Sequence, residues 1–371
     1  MKKKIKLAYI IDEINIGGTE NQLLTLVKGI NRGEFEPHII CLRSTPAIAN
    51  MGFNVKIKIL GMRKILSLNG IRKLIECASY IKKNKIDIVQ VFFFDSTLVG
   101  ILASKLAGVK HILASRRDLG YWITPMLKRT LNFLDNFTGH YIVNSMAISN
   151  YLQKEENIDP AKIVIIYNGL AISQNSEVIS NTKKTFFNKN TFLVGLVANL
   201  NRPVKRPDVF VDAAISVCRK VENIEFVVIG DGYLRKELEE EVLISGFKDK
   251  IHFTGQTENV AGYLKKMDLG ALSSDSEGFS NTLIEYMAAG LPIVATDIAA
   301  NRELLDDGEN GMLFKTGDSE ALKDKILELY ANPGMRQVFS SNNLKKALNY
   351  SERMMIDKHE DVYKKLILNQ I

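Results

Sequence analysis

Residues 273–290 read SSDSEGFSNTLIEYMAAG, a loop interrupted by Gly278 that runs directly into a helical stretch and carries one carboxylate before the helix and one inside it. A glycine there lets the backbone approach a ligand closely, and the first amides of a helix point outward without internal partners. The helix dipole adds roughly half a positive charge at the same end, so this spot suits a diphosphate held without a metal ion. Glu277 and Glu285, eight positions apart, then flank the phosphates as acceptors for the vicinal hydroxyls of a hexose and a ribose. The same spacing admits a plainer role. Thr282 and Glu285 satisfy the T-x-x-E capping box, in which the glutamate folds back and merely starts the helix.

The stretch from Glu277 through EYMAAGLPIVATDIAANRELLDDGENGMLF to Phe314 resembles the signature segment of the retaining family 4 glycosyltransferases. The resemblance implies that Glu277 contacts the donor sugar and Glu285 the ribose. It places Gly278, Phe279, Ser280, Asn281 and Thr282 along the nucleotide-sugar site between them. VANLNRPVKRPDVFVDAA resembles the family segment whose basic residues grip the diphosphate, with Lys205 at the family lysine. The usual arginine at the strand end is replaced by Asn199, and Arg202 and Arg206 stand close by to supply the missing charge, although Arg206 can equally be a solvated loop residue. A fixed cation stabilises the charge that develops on a departing phosphate by several kcal/mol in a dry site.

In the N-terminal half, Gly17-Gly18-Thr19-Glu20 follows the first strand and opens a helix, resembling the family's Gly-Gly-x-Glu loop, with the Gly18 backbone against the donor. ILASRRDLG resembles the family strand whose end carries a histidine near the anomeric carbon. Arg117 aligns with that histidine, where its guanidinium can contact donor sugar, leaving phosphate or an anionic acceptor; the plainer alternative is a surface pair with Asp118 worth under about 1 kcal/mol. Asn144 and Ser145 of IVNSMAI fall on the acceptor side by the same resemblance. Gly230-Asp231-Gly232 and Thr254-Gly255-Gln256 resemble family turns near the base and ribose. Asp275-Ser276-Glu277 superficially resembles the D-x-D metal motif of other glycosyltransferases. The family works without a metal, and the resemblance implies no cofactor.

These residues need a scaffold that brings loop ends together. Short apolar strands alternate with amphipathic helical stretches twice over, KIKLAYII, FEPHIICL, NVKIKIL, DIVQVFFF, HILAS, HYIVNS and KIVIIYNG first, then TFLVGLVANL, IEFVVIGDG, KIHFTG, LGALSS and LPIVATD. Helices are predicted over 19–30, 69–83 and 95–107. The expected fold is α/β, with two doubly wound Rossmann-like domains facing across a cleft, the glycosyltransferase-B arrangement. The expected domains are 1–180 on the acceptor side, joined by a final helix at about 353–371, and 185–352 for the donor; the polar stretch 171–190 reads as a linker.

At 371 residues, 46% hydrophobic and 25% charged, the chain holds enough apolar material for two cores. Cys41, Cys77 and Cys218 lie far apart, which favours neither a disulfide framework nor a zinc cluster and fits a reducing cytosol. Asp12 and Glu13 interrupt the first apolar run, which argues against a secretory signal, and no stretch approaches the roughly 20 apolar residues of a membrane span. Residues 1–180 carry 24 basic and 14 acidic side chains, and 181–371 carry 25 and 28, giving +10 and −3. Much of the excess lies between Lys56 and Lys85, which suits an anionic membrane surface at about 1 kcal/mol per basic residue or a solvated helix face. No aromatic-basic interleaving points to nucleic acid.

The expected activity is metal-independent, retaining transfer of a hexose or N-acetylhexosamine from a UDP- or GDP-sugar to a saccharide acceptor borne on a lipid, in surface polysaccharide assembly, by a cytoplasmic protein peripheral to the inner membrane face. Two other readings stay open. One is an isomerase of the UDP-N-acetylglucosamine 2-epimerase type. The other is a sugar-nucleotide-binding protein without catalysis, prompted by Asn199 and Arg117.

Overall fold

The computed structural model describes residues 3–14, 17–44, 55–118, 120, 124–171, 191–257 and 259–371. The chain divides into two compact units, Met1–Gly169 with Glu352–Ile371, and Leu170–Ser351. Residues 172–190 of the expected linker lie outside the described residues.

In the first unit β1 (Ile5–Ile11), β2 (Phe35–Cys41), β3 (Lys56–Ile59), β4 (Ile88–Phe92), β5 (His111–Arg116), β6 (His140–Val143) and β7 (Ile163–Ile165) form one sheet in the order β3-β2-β1-β4-β5-β6-β7. Every neighbouring pair is parallel, with Tyr9 of β1 opposite Ile39 of β2 and Gln90 of β4. Strands buried on both faces read as near-continuous apolar runs, which is why LAYII, and IVQVF with Gln90 its one polar residue, are legible without alternation. The strand order reverses between β1 and β4, and ligands of such sheets bind beyond the carboxyl ends of the strands at that point.

The helix Phe94–Ala107 leaves β4 at this switch with no side-chain cap of its own, and its N-cap residue Phe93 sits at φ 63°, ψ 177°. Asp12, just past the end of β1, supplies the missing acceptor: its carboxylate takes the amide of Ser96 at 2.7 Å. Burial pushes the Asp12 carboxyl up to about 6 despite that bond.

The last helix, Glu352–Ile367, belongs to the first unit and packs on the helix Gly18–Gly29. Ile356 and the fully buried Tyr363 share a core with Leu23, Leu26 and Phe35, and each such side chain contributes about 1.5–3 kcal/mol by leaving water. Glu360 accepts from the Asn31 amide at 2.7 Å, Tyr363 donates to Gln90 Oε1, and Gln90 donates on to Ser115 at 2.8 Å.

The second unit repeats the architecture with β8 (Phe192–Val197), β9 (Ile224–Ile229), β10 (Ile251–Phe253), β11 (Leu269–Leu272), β12 (Ile293–Thr296) and β13 (Met312–Phe314), all parallel in the order β10-β9-β8-β11-β12-β13. Its switch lies between β8 and β11. All three cysteines are buried as thiols.

Candidate active site

The second unit builds a site at the carboxyl ends of β8 and β11. The helix Asn281–Ala288 is set there by Tyr286, whose buried hydroxyl accepts from the Val197 amide of β8 at 2.9 Å and lies 3.3 Å and 3.2 Å from the carbonyls of Gly195 and Ala271. Its N-cap is Ser280, whose Oγ accepts from Leu283 N at 3.3 Å. The capping-box alternative therefore fails: Thr282 is the second helical residue, and Glu285 stands too far along the helix to reach the cap. Phe279 is buried against Tyr350, with ring centroids 5.9 Å apart, so its side chain anchors the loop from behind. Asn281 and Thr282 form the partly exposed first turn, where helix amides and dipole favour an anion.

Glu277 is held in place by two donors. Lys205 Nζ lies 2.6 Å and Ser274 Oγ 2.7 Å from its Oε1, with both charged side chains largely buried. Glu285 is the opposite case: it is largely buried, no side-chain partner meets its carboxylate among the described residues, and burial alone pushes it up to about 7. An acceptor kept desolvated without donors is a place for hydroxyls brought by a ligand.

Lys205 ends the short helical turn Pro203–Lys205, and that turn is laced to the loop after β11. Asp275 N donates to Val204 O at 2.8 Å and Ser273 Oγ to Lys205 O at 3.0 Å, while Thr296 Oγ1 at the end of β12 fixes Ser274 O at 2.6 Å. Arg206, in the left-handed region at φ 46°, pairs with Asp208 at 2.8 Å and with Asp275 at 3.2 Å. It is therefore a structural clasp rather than a solvated loop residue. Asp275 and Glu277 are thus engaged by different cations. Arg202 is exposed, and Asn199 uses its side chain to accept the Asn201 amide at 2.9 Å, shaping the turn.

Gly230 and Gly232 explain how this loop is supported. They take φ 141° and 155°, and a Cβ would stand 1.9 Å from Ala198 O at the first and 2.2 Å from Leu200 C at the second. The turn they form lies directly beneath residues 198–201, and Gly230 also bridges to Gly255.

The first unit assembles its own polar cluster at the end of β5. Arg117 bonds to Asn168 Oδ1; burial lowers its guanidinium to about 10, and Glu20 is the charge that opposes the shift. Gly18 is the first residue of the helix Gly18–Gly29, and the Glu20 side chain folds back over Gly17. Gln22, not singled out from the sequence, exchanges two 2.8 Å bonds with the backbone of Gly169. The plainer alternative, an Arg117–Asp118 surface pair, is not what holds Arg117, and Asp118 accepts from the Gly120 amide at 2.8 Å. Arg116 points the other way, toward the buried carboxylates of Asp135 and Glu156 at 3.8 Å and 3.7 Å. Ser145 caps the helix Met146–Glu155 and is fully buried. Asn144 is buried beside it with its side-chain oxygen unbonded.

Residues 16–174 match the model of Glycosyltransferase Family 4, and residues 191–332 match that of Glycosyl transferases group 1. The chain belongs to the group 1, family 4 glycosyltransferases. It is 23% identical to the UDP-Gal:alpha-D-GlcNAc-diphosphoundecaprenol alpha-1,3-galactosyltransferase of Escherichia coli, covering 99% of this chain and 98% of the relative. It is 26% identical, over 88% of this chain and 89% of the relative, to the GalNAc-alpha-(1->4)-GalNAc-alpha-(1->3)-diNAcBac-PP-undecaprenol alpha-1,4-N-acetyl-D-galactosaminyltransferase of Campylobacter jejuni. The crystal structure of HepE from Anabaena in complex with UDP superposes with a TM-score of 0.85 at 19% identity, covering 97% of this chain and all of that one. The fold is therefore glycosyltransferase-B, and the enzyme a hexosyltransferase. The matched group 1 segment of this glycosyltransferase contains Lys205, Glu277 and Glu285, and the family 4 segment contains Gly18 and Arg117.

Proposed function

We propose that this glycosyltransferase moves a hexose or N-acetylhexosamine from a UDP-sugar to a saccharide acceptor carried on a lipid diphosphate, with retention at the anomeric carbon and without a metal ion. The observation that carries the reading is the contrast between the two glutamates of one loop and helix. Glu277 is pinned by Lys205 and Ser274 at the open helix end, and Glu285, largely buried, has no side-chain donor among the described residues. Ribose hydroxyls satisfy Glu285, the diphosphate takes the helix amides and Lys205, and Glu277 orients the sugar.

In the transfer, the bond from the anomeric carbon to the β-phosphate oxygen breaks and a bond to the acceptor oxygen forms on the same face. The acceptor proton passes to the departing phosphate, so no separate protein base is used. Lys205 and the helix N-terminus stabilise the extra negative charge on the leaving UDP. UDP is preferred over GDP because HepE was solved with UDP and the E. coli relative is named for a UDP-sugar. Both curated relatives named above carry undecaprenol in the name of the acceptor. Among the described residues no helix is long and apolar enough to cross a membrane; on this proposal the enzyme meets such an acceptor as a peripheral protein on the cytoplasmic side.

Thermal-shift and donor-hydrolysis assays with UDP-, GDP-, ADP- and CMP-sugars in EDTA, on wild type and Glu285→Ala, test the reading. Stabilisation by UDP-sugars that persists in EDTA and is lost in Glu285→Ala is expected. Binding that survives Glu285→Ala, or that needs a divalent ion, overturns the site; conversion of UDP-N-acetylglucosamine to an epimer without acceptor overturns the reaction.

A further inference from the structure

Among the described residues the Arg117 guanidinium makes one hydrogen bond, to Asn168 Oδ1. A single bond directs a long side chain only as well as its acceptor is fixed, because the other rotamers stay open to it. The aim of Arg117 therefore depends on what holds Asn168.

Asn168 is buried, and so is the next residue, Gly169, whose two backbone groups are both taken by one side chain. Gln22 Nε2 donates to Gly169 O and Gly169 N donates to Gln22 Oε1, each at 2.8 Å. An amide presents one donor and one acceptor in a plane, the complement of the backbone of a single residue. A methionine fills the same space with neither group. An ionised glutamate offers two acceptors and meets the Gly169 carbonyl with repulsion.

The base of this grip is rigid. Gln22 is 7% exposed, and its helix neighbours Leu23, Leu26 and Val27 lie in the core. Gln22 also stands four positions after Gly18, so the two share one face of the helix Gly18–Gly29. One side chain thus sets the Gly18 end of the helix against the support of Arg117. The last helix adds a neutral neighbour. His359 is buried with Nδ1 2.9 Å from Met355 O; burial lowers its ring to about 4, and the Arg117 charge pushes the same way.

We infer that Gln22 is a positioning residue for the transfer: by gripping both backbone groups of Gly169 it fixes Asn168, and through Asn168 it holds the Arg117 guanidinium at the reacting centre. The inference rests on the proposed role of Arg117. A packing role alone costs stability and leaves no mark that depends on Arg117. Positioning leaves a narrower one, in which turnover falls, nucleotide affinity stays, and the effect vanishes once Arg117 is gone.

Steady-state kinetics, UDP binding and thermal unfolding of Gln22→Met, Gln22→Glu, Arg117→Ala and the double variants test it. Gln22→Met is expected to lower kcat by about 10-fold, within the range that a displacement of about 1 Å costs, with the Kd for UDP within about twofold of wild type. Gln22→Met/Arg117→Ala is expected to show the kcat of Arg117→Ala alone. Gln22→Met also strips Gly169 of both partners and is expected to unfold at a lower temperature. Gln22→Glu separates that cost from function, because its protonated carboxyl carries a donor and an acceptor as the amide does, and burial favours the protonated form. Its kcat relative to wild type is expected to rise as pH falls from about 8 to about 5.5, and the rise is expected to be absent in Gln22→Glu/Arg117→Ala. Additive losses in the Gln22 and Arg117 variants, an unchanged kcat in Gln22→Met, or a Gln22→Glu ratio to wild type that does not move with pH would each overturn the inference while the role of Arg117 stands. A wild-type kcat in Arg117→Ala would overturn both.

Discussion

Lys205 Nζ stands 2.6 Å from Glu277 Oε1, so the side chain proposed to serve the diphosphate and the one proposed to serve the sugar neutralise each other before a donor arrives. Both are largely buried, and removing one partner leaves the other charged and poorly solvated. Lys205→Ala is expected to lower stability by about 1–3 kcal/mol and to abolish the thermal shift by UDP-sugar. Adding Glu277→Gln is expected to restore most of the lost stability and none of the turnover. Urea unfolding of the two single variants and the double variant gives the coupling energy directly.

Glu285 makes the opposite prediction, with a gain in stability accompanying a loss of function. Its carboxyl is pushed up from 4.5 to about 7 by burial, so between those values the folded chain binds more protons than the unfolded one. Stability then falls as pH rises through this window, by at most roughly 3 kcal/mol. Glu285→Gln is expected to be more stable than wild type at pH 8 and to differ little at pH 4.5. A UDP-sugar, whose diphosphate loses no proton in this range, is expected to bind wild type more tightly as pH rises from 6 to 8. In the variant, affinity is weak and flat. Calorimetric titration across pH, paired with unfolding curves, checks both halves.

Most strands were legible because parallel strands buried on both faces leave unbroken apolar runs, such as FLVGLV before Ala198. β13 was not singled out as a strand, since three residues, Met312–Phe314, are too few to show a period. Local pattern misled where two residues competed for one role. Thr282 and Glu285 have capping-box spacing, yet Ser280 takes the cap because the burial of Phe279 and Tyr286 sets the helix start two residues earlier. Arg116 and Arg117 are neighbours in sequence, and only the fold sends one to Asp135 and Glu156 and the other to Asn168. Gln22 and Gly169 are 147 positions apart, and no spacing rule connects them.

Arg117 is bonded within the first unit, to Asn168, and on the proposed reading it acts at the reacting centre rather than on donor affinity. The guanidinium stays charged at neutral pH, its value being near 10, and is aimed by Asn168 with Glu20 as the opposing charge. Arg117→Ala is expected to lower kcat by about 100-fold or more, on the scale of losing one fixed charge at a reacting centre, with the UDP-sugar Kd within about twofold of wild type. Arg117→Lys keeps the charge without the planar fork that Asn168 engages and is expected to recover only part of the rate. Steady-state kinetics with nucleotide-binding measurements on the same preparations distinguish this from a general loss of fold.

Gly232 tests whether the loop carrying Lys205 depends on the turn beneath it. Its φ is 155°, and a Cβ would stand 2.2 Å from Leu200 C and 2.3 Å from Asn201 N, both backbone atoms that cannot rotate away. Gly246 also has a positive φ, 81°, but a Cβ there meets nothing within 4 Å. Gly246→Ala thus reports conformational strain alone, about 1 kcal/mol. Gly232→Ala adds displacement of residues 199–206 and is expected to destabilise by about 2–4 kcal/mol, in the range of severe backbone substitutions. The decisive contrast is kinetic: KM for the donor is expected to rise severalfold in Gly232→Ala, because Lys205 moves with its loop, and to stay at the wild-type value in Gly246→Ala. Equal KM values in the two variants would show that Lys205 is positioned from the β11 side alone, through Ser273 and Asp275.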